Sequence, residues 1–418
     1  SRCRHPVNKT VYLPACLLWQ NEHSQNRIQT ERKHLMKIRW TIERAMEEPP
    51  PLLHPLAGCD WENFQAHLSS HGNFTQRTAS QRAKSRLAVI ARHPFTKMER
   101  LIFSKKVANY HLPHPPTFLI GHWRSGTTHL HNLVSSPRQF ATIDFGQTAM
   151  PHNLLNPTRF IGRAAMSFAV PEDRGMDAVK MGVKEPQEEE MALGNLNPLC
   201  YYNVFYYPQE MKSHFDRSIL MDGVSDEDRF KFEEAYQLLL RKLSIAGKNK
   251  PLLLKNPAST ARIKMLNRLF EGVRFIHIVR NPFEVFASML HHYPRLFNAF
   301  AWQEFHNIDL EDMVFYKYRR IMENYLAQRE IVGERLIETS YEKIVSDPVG
   351  EIGRFFDHFG FTSKDKALRA ISHYAQRNQN YRRNQYQLSR AQVDRIHDEW
   401  GFALKEWNYS QPESIEVR

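Results

Sequence analysis

Gly121, Arg124, Ser125, Gly126, Thr127 and Thr128 are spaced to grip a phosphate within one short run, TFLIGHWRSGTTHLHNLV, residues 117–134. Two glycines with four residues between them, then Thr127 and Thr128, match a nucleotide-binding loop, except that the lysine an NTPase uses on the transferred phosphate is replaced by Thr127. The cation stands inside the loop, as Arg124. Backbone N–H groups of such a loop and the positive end of a following helix both favour an anion. A second anionic site is expected in FIHIVRNPFEVFASML, residues 275–290, where Arg280 ends an apolar run and Ser288 follows eight positions later. In an NTPase that run would end in an aspartate serving Mg²⁺. Glu188, Glu189 and Glu190 stand together in KEPQEEEMALG, residues 184–194, and Lys255 follows the apolar run 252–254. Adjacent acids stabilise a helix start; three in a row also point in three directions, so at least one should face inward.

These groups need a scaffold that brings distant positions together. Residues 117–120 are apolar with β-branched members, which predicts a buried strand, and Leu130, Leu133 and Val134 then fall at helical spacing. Residues 275–279 read as another buried strand, and Asn281-Pro282 opens a helix that carries Ser288 about two turns along. Further strands are expected at 252–254 and 336–339, with helices at 225–246, 258–270 and 312–331. Helices alternating with short buried strands imply an α/β fold, a P-loop-like three-layer αβα arrangement around a central parallel sheet. Other expectations are helices at 61–68, 81–91 and 97–107, a strand and turn at 141–153, a helix opening at Pro186, and an aromatic strand at 201–207 that either lines the acceptor pocket or, the favoured reading, packs in the core. The expected divisions are an arm and linker over 1–53, a helical preface over 54–112 and the α/β domain over 113–418. Within the arm, Leu35, Ile38, Ile42 and Met46 alternate with Lys37, Arg39 and Arg44. That helix would dock on its own domain or lie on a membrane surface.

Composition narrows the function classes. The 418 residues are 42% hydrophobic and 12% aromatic, as in a globular protein and not a disordered one. No apolar run of about 18 residues predicts a spanning helix, and no signal-peptide pattern opens the chain. Four cysteines without metal-knuckle spacing fit reduced thiols and a cytoplasmic location. The net charge of +12 could serve nucleic acid, an anionic membrane or anionic small ligands. No nucleic-acid module or dense basic stripe is evident, so nucleic acid is not an expected partner.

On these motifs the chain resembles the sulfotransferases that use 3′-phosphoadenosine 5′-phosphosulfate (PAPS). RSGTT is similar to their 5′-phosphosulfate loop, and Arg280 with Ser288 to their 3′-phosphate site. Arg124, where many cytosolic members carry lysine, is more like the tyrosylprotein and carbohydrate-type branches. It is also like a bacterial group with GHWRSGTTHLHNL and PQE(D/E)E segments, and that similarity runs from about His54 to about Tyr409. The resemblance implies that Arg124, Ser125, Gly126, Thr127 and Thr128 hold the 5′ side, and Arg280 and Ser288 the 3′-phosphate. It implies Arg124 beside the phosphate–sulfate bridge and Lys255, in a K-N-P like the tyrosylprotein branch's K-D-P, as the second cation. Glu188 would be the base, with Glu189 in reserve. Arg382 and Arg383, in the basic run 380–389, would close over the cofactor. No metal is required by such a reaction, and the acceptor would be a small molecule, lipid or carbohydrate. The rival readings are a P-loop kinase or NTPase, which would need ATP and Mg²⁺, and a non-catalytic anion- or nucleic-acid-binding protein with salt-sensitive binding.

Overall fold

Four short apolar runs form the central sheet: β1 (Thr117–Ile120), β2 (Leu253–Lys255), β3 (Arg274–Val279) and β4 (Leu336–Ser340), in the order β2-β1-β3-β4. The structure, a computed structural model, describes residues 49–157, 185–377 and 386–418. The expected N-terminal amphipathic helix, Lys184, Arg382 and Arg383 lie outside the described residues. Every pairing in the sheet is parallel, with Leu119 opposite Lys255 on one side and Ile276 on the other, and Ile276 opposite Ile337.

Both faces of the sheet are covered, which is why β1, β2 and β3 are mostly apolar, while the edge strand β4 alternates, with Ile337 and Thr339 buried. Phe118, Ile120, Leu254 and Phe275 join one buried cluster, while Leu119, Leu253, Ile276, Ile278 and Ile337 join another. Against the first face lie helices α1 (Ala79–Ala108), α4 (Asp226–Ala246), α5 (Pro282–Phe300), α6 (Leu310–Gln328) and α10 (Arg390–Glu406). Against the second lie α2 (Thr127–Ser135), α7 (Tyr341–Ser346), α8 (Pro348–Phe359) and α9 (Lys364–Arg377). The α3 helix (Glu190–Leu196) belongs to the first side through Ala192 and Leu193. Leu56 and Phe64, from the expected helical preface, share that first cluster with the sheet. A small parallel pair, β5 (Tyr386–Leu388) with β6 (Ile415–Val417), packs beside α5. Among the described residues, no helix is long and apolar enough to cross a membrane.

The strand order creates the site. From β1 the chain goes to one side, to β2, and then returns past β1 to β3 and β4 on the other. The carboxyl ends of β1 and β3 are therefore neighbours at a reversal of direction, where open α/β sheets leave a crevice.

Several expected elements differ. Residues 201–207 form a turn and the short helix Asn203–Tyr206, not a strand. All seven positions lack polar alternation, and a helix pairs Tyr201 with Phe205 and Tyr202 with Tyr206 across one turn, at 5.6 and 6.1 Å between centroids. Their expected core role holds: Tyr201, Phe205, Tyr206 and Tyr207 are buried. The strand expected at 141–153 is a single bridge at Ala141, followed by the helix Phe145–Ala149, because Asp144 and Gln147 make a reciprocal capping box. Pro186 does not open a helix; it bridges Asp144 in extended form, and α3 starts at Glu190. The separate helices expected at 81–91 and 97–107 are one helix of 30 residues that runs through Pro94. Its buried stripe of Gln81, Ser85, Val89, Thr96 and Glu99 is continuous across the proline, and Pro94 lies on the exposed side, where water can serve the carbonyl that loses its donor. The helix expected at 258–270 divides into a tight turn, Pro257–Ala261, and a helix, Ile263–Leu269.

Candidate active site

The loop after β1 is built on two positions that exclude side chains. Gly121 has φ +145°, and a Cβ there would lie 2.3 Å from the Ile278 carbonyl oxygen. Its N–H donates to Thr260 Oγ1 at 2.8 Å. Gly126 has φ +93°, and a Cβ would lie 2.4 Å from the Tyr341 ring. Glycine as the cap residue leaves the start of α2 with no side-chain cap, so the positive end of the helix is presented to a ligand. Arg124 also has a left-handed backbone, φ +69°. For a non-glycine residue this costs about 1–2 kcal/mol; it aims the guanidinium at the second anchor, where Nε donates to Ser288 Oγ at 2.9 Å.

The second anchor follows β3. Pro282 opens α5, and the Asn281 side chain caps it by accepting from the Phe283 N–H. Ser288 is buried two turns along. Arg280 is fixed on three sides. Its Nε donates to Glu284 at 2.8 Å, a terminal nitrogen donates to the Arg124 carbonyl at 3.2 Å, and its plane lies 4.4 Å from the centre of the Tyr341 ring. Glu284 is itself buried and accepts from Ser414 Oγ at 2.9 Å. Positions 156 and 164 residues apart thus meet in one cluster: Arg280 on Arg124, and Arg124 on Ser288.

A third group lies at the end of β2. Lys255 Nζ donates to Glu188 Oε1 at 2.7 Å and to Thr128 Oγ1 at 3.4 Å, so it touches both the acid segment and the first turn of α2. The other Glu188 oxygen accepts from the Tyr202 hydroxyl at 3.4 Å. The Lys255 side chain is 2% exposed and that of Glu188 17%, so the approach from solvent is on the Glu188 side. The neighbouring acids turn elsewhere. Glu189 is buried against the Tyr236 hydroxyl at 2.8 Å, and burial pushes its pKa up to about 7. Glu190 accepts two bonds from Arg262, at 2.7 and 3.0 Å, with Asn256 Nδ2 at 2.8 Å and the Tyr201 N–H at 2.9 Å. Burial opposes its charge, but the Arg262 guanidinium overrides that and holds its pKa below the usual carboxylate range. One carboxylate of the three faces the lysine and the loop, and two serve the interior.

Ser125 and Thr127 are buried in the loop and the first turn of α2. Residues beyond the motifs complete the surroundings. Trp123 of the loop stacks on Tyr201 at 4.1 Å. Beneath them Lys317 is fully buried, donating to the hydroxyls of Tyr201 and, at 2.6 Å, Tyr293. Burial drives its pKa well below the ordinary lysine value. Tyr341 packs against both Gly126 and Arg280. His122 is buried, its Nδ1 lies 2.9 Å from the Trp123 carbonyl oxygen, and burial lowers its pKa to about 3. Glu284 had a legible signal, the four-residue spacing from Arg280; Lys317 and Tyr341 had none.

This arrangement can bind two anionic groups. The Arg124–Arg280–Ser288 cluster offers guanidinium and hydroxyl donors. The Thr128–Lys255 edge offers a hydroxyl, an ammonium and a helix start. The strands leading to Lys255 and Arg280 are separated by β1, roughly 10 Å across two inter-strand spacings, and Arg280 lies four residues beyond Ile276, the residue level with Lys255. Both sets of side chains converge on the intervening loop, Lys255 at Thr128 and Arg280 at the Arg124 carbonyl.

Comparison with known proteins agrees. The omega-hydroxy-beta-dihydromenaquinone-9 sulfotransferase Stf3 of Mycobacterium bovis is 27% identical over 328 residues, 77% of this chain and 82% of that one. The protein of the same name from Mycobacterium tuberculosis aligns with the same figures. Among solved structures, the sulfotransferase STF9 of Mycobacterium avium has a TM-score of 0.62 at 14% identity, covering 91% of this chain and 97% of that one. STF1 of Mycobacterium tuberculosis H37Rv has a TM-score of 0.56 at 18% identity, covering 76% and 88%. At those identities the two structures speak to the fold. The profile of the sulfotransferase family matches residues 115–366, a span that takes in β1 with its loop, the acid segment, Lys255 and Arg280 with Ser288. Because that match covers more than half of the sequence, this chain belongs to the sulfotransferase family.

Proposed function

We propose that this sulfotransferase takes its sulfuryl group from PAPS and delivers it to a hydroxyl of a lipid or similar apolar molecule, with Glu188 as base. The observation that carries the reading is the contact of Lys255 with both Glu188 and Thr128, one strand away from the Arg124–Arg280–Ser288 cluster. The acceptor class is supported by the aromatic side chains around Glu188, Tyr202 above all, and by the relative whose name gives a menaquinone-derived acceptor. We place the reaction in the cytoplasm, in keeping with the free, buried thiols of Cys59 and Cys200.

When bound, the donor supplies an activated sulfuryl group on its 5′ phosphate. Thr128, Lys255 and the start of α2 hold that phosphate. Arg280 and Ser288 hold the 3′-phosphate. Arg124 reaches the same place from the loop and couples the two grips. Lys255 exchanges its Glu188 contact for the phosphate, which frees the carboxylate to take the acceptor's proton. A new bond then joins the acceptor oxygen to sulfur as the bond from sulfur to the phosphate oxygen breaks. The charge that lands on the departing phosphate faces Lys255, where a fixed cation is most useful. Arg382 and Arg383 are assigned to the cofactor because β5, which directly follows them, packs beside the helix that carries Ser288.

A thermal-shift comparison of 3′,5′-adenosine bisphosphate, ATP with Mg²⁺ and an oligonucleotide tests the donor. The bisphosphate alone should stabilise the chain; stabilisation by ATP with Mg²⁺ in its place would favour a kinase. Labelled PAPS with a panel of long-chain alcohols, quinols, sugars and peptides then tests the acceptor, and transfer confined to sugars would refute the lipid class.

A further inference from the structure

Helix α1 is held to the molecule by an inner stripe that is mostly polar, and its large apolar side chains stand on the opposite, outward side. The inner stripe packs on the molecule. The outer stripe consists of Leu87, Ile90, Phe95, Leu101 and Ile102, with Leu87 65% and Leu101 85% exposed. Pro94 and Ala91 lie between them and are exposed as well. The spacings are those of one helical face, and from Leu87 to Ile102 it runs about 22 Å. A run of large apolar side chains on a surface, as opposed to scattered ones, marks a place where something docks.

The charge around the stripe says what. Lys84, Lys97, Lys105 and Lys106 are exposed along α1, with Arg86 and Arg100 beside them. The single acid of the helix, Glu99, is buried, paired with Lys242, and accepts from the N–H groups of Leu155 and Asn156. The exposed surface of α1 therefore has cations and apolar side chains and no carboxylate. A second copy of this chain, itself at +12, would bring like charge towards like. An anionic bilayer meets both features at once: alkyl and aromatic side chains enter the interface, and lysines extend to the phosphates.

We propose that the outer face of α1 docks this protein on anionic phospholipid bilayers. The helix is already held in place by its inner contacts, including Gln81 on the Pro51 carbonyl and Arg92 on the Ala57 carbonyl. Docking therefore requires no folding of the helix. Because residues 109–116 lead straight from α1 into β1, a docked helix fixes the sheet relative to the membrane. The inference does not rest on the acceptor's being a lipid, and its test does not read activity.

The test is co-sedimentation of the full chain with vesicles of phosphatidylcholine alone or with phosphatidylglycerol added. Wild type should partition onto the anionic vesicles, and less so as salt is raised. Each lysine at such a surface is worth roughly fivefold in binding, so replacing Lys84, Lys97, Lys105 and Lys106 by Gln should lower partition roughly a hundredfold or more. Leu87→Ser with Leu101→Ser and Ile102→Ser should also release the protein, with its thermal midpoint unchanged because these side chains are exposed. Leu35→Ser with Ile38→Ser, in the N-terminal arm, should leave partition as in wild type. Equal binding to neutral and anionic vesicles would overturn the proposal. So would loss of binding in the arm variant with retention in the α1 variant, or a dimer that the α1 variant dissolves while wild type ignores vesicles.

Discussion

Arg280→Ala should weaken binding of 3′,5′-adenosine bisphosphate while leaving adenosine 5′-monophosphate nearly unaffected. The guanidinium is held by Glu284, the Arg124 carbonyl and the Tyr341 ring, so it is fixed before any ligand arrives. A charge-assisted hydrogen bond of this kind contributes about 1.5–3 kcal/mol, which is roughly 10- to 150-fold in Kd. Removal also leaves Glu284 buried without its cation, and breaking a buried pair costs up to about 3–5 kcal/mol of stability. The cost should fall below that range, because the Ser414 hydroxyl still donates to Glu284 and the arginine is partly exposed. Arg280→Ala combined with Glu284→Gln removes the orphaned charge and should recover stability without recovering affinity. Isothermal calorimetry with both nucleotides on wild type and both variants separates the effects. Equal weakening for the two nucleotides, or none for the bisphosphate, would refute a 3′-phosphate site at Arg280.

Three further outcomes follow from the same geometry. Glu188→Gln should lower kcat by about a hundredfold or more, the range of a general base, with the bisphosphate Kd changed little; full turnover would end its assignment as base. Lys255→Met should cost roughly 10²–10³ in kcat, as for a lost group facing transition-state charge, and unchanged single-turnover rates would place that charge elsewhere. Glu189 binds its proton more tightly folded than unfolded, so its contribution to stability is full below pH 4.5 and is lost as pH rises to about 7. The loss is about 3 kcal/mol. Glu189→Gln should remove that fall in chemical denaturation curves across this window, and a variant with the wild-type pH dependence would show that Glu189 is ionised throughout.

Legibility in the sequence followed how local each cause is. β1, β2 and β3 were readable because both faces of the covered parallel sheet are buried, which leaves a distinctive apolar run; the edge strand β4 alternates buried and half-buried positions. The phosphate loop was readable because Gly121 and Gly126 occupy backbone positions that almost no other residue can. Residues 201–207 were misread because a run with five aromatics in seven positions shows no clear period; only the surrounding core decides between strand and helix. The start of α3 was misplaced because the bridge between Pro186 and Asp144 is set by a partner more than forty residues away. That three adjacent glutamates diverge was foreseeable, and so was an inward-facing member. Which of them meets Lys255 depends on Tyr236 and Arg262, from two other elements. The contact of Arg124 with Ser288 was likewise beyond reach, since it follows from the strand order. Lys317, which no motif or spacing marked, is enclosed by aromatic rings contributed by distant parts of the chain.

If one nucleotide joins the Lys255 edge to the Arg280 cluster, a crystal structure with 3′,5′-adenosine bisphosphate will show it spanning the two. The 5′-phosphate should lie within about 3 Å of Thr128 and Lys255, and the 3′-phosphate at the same distance from Arg280 and Ser288. A bisphosphate bound with either group away from these side chains would contradict it.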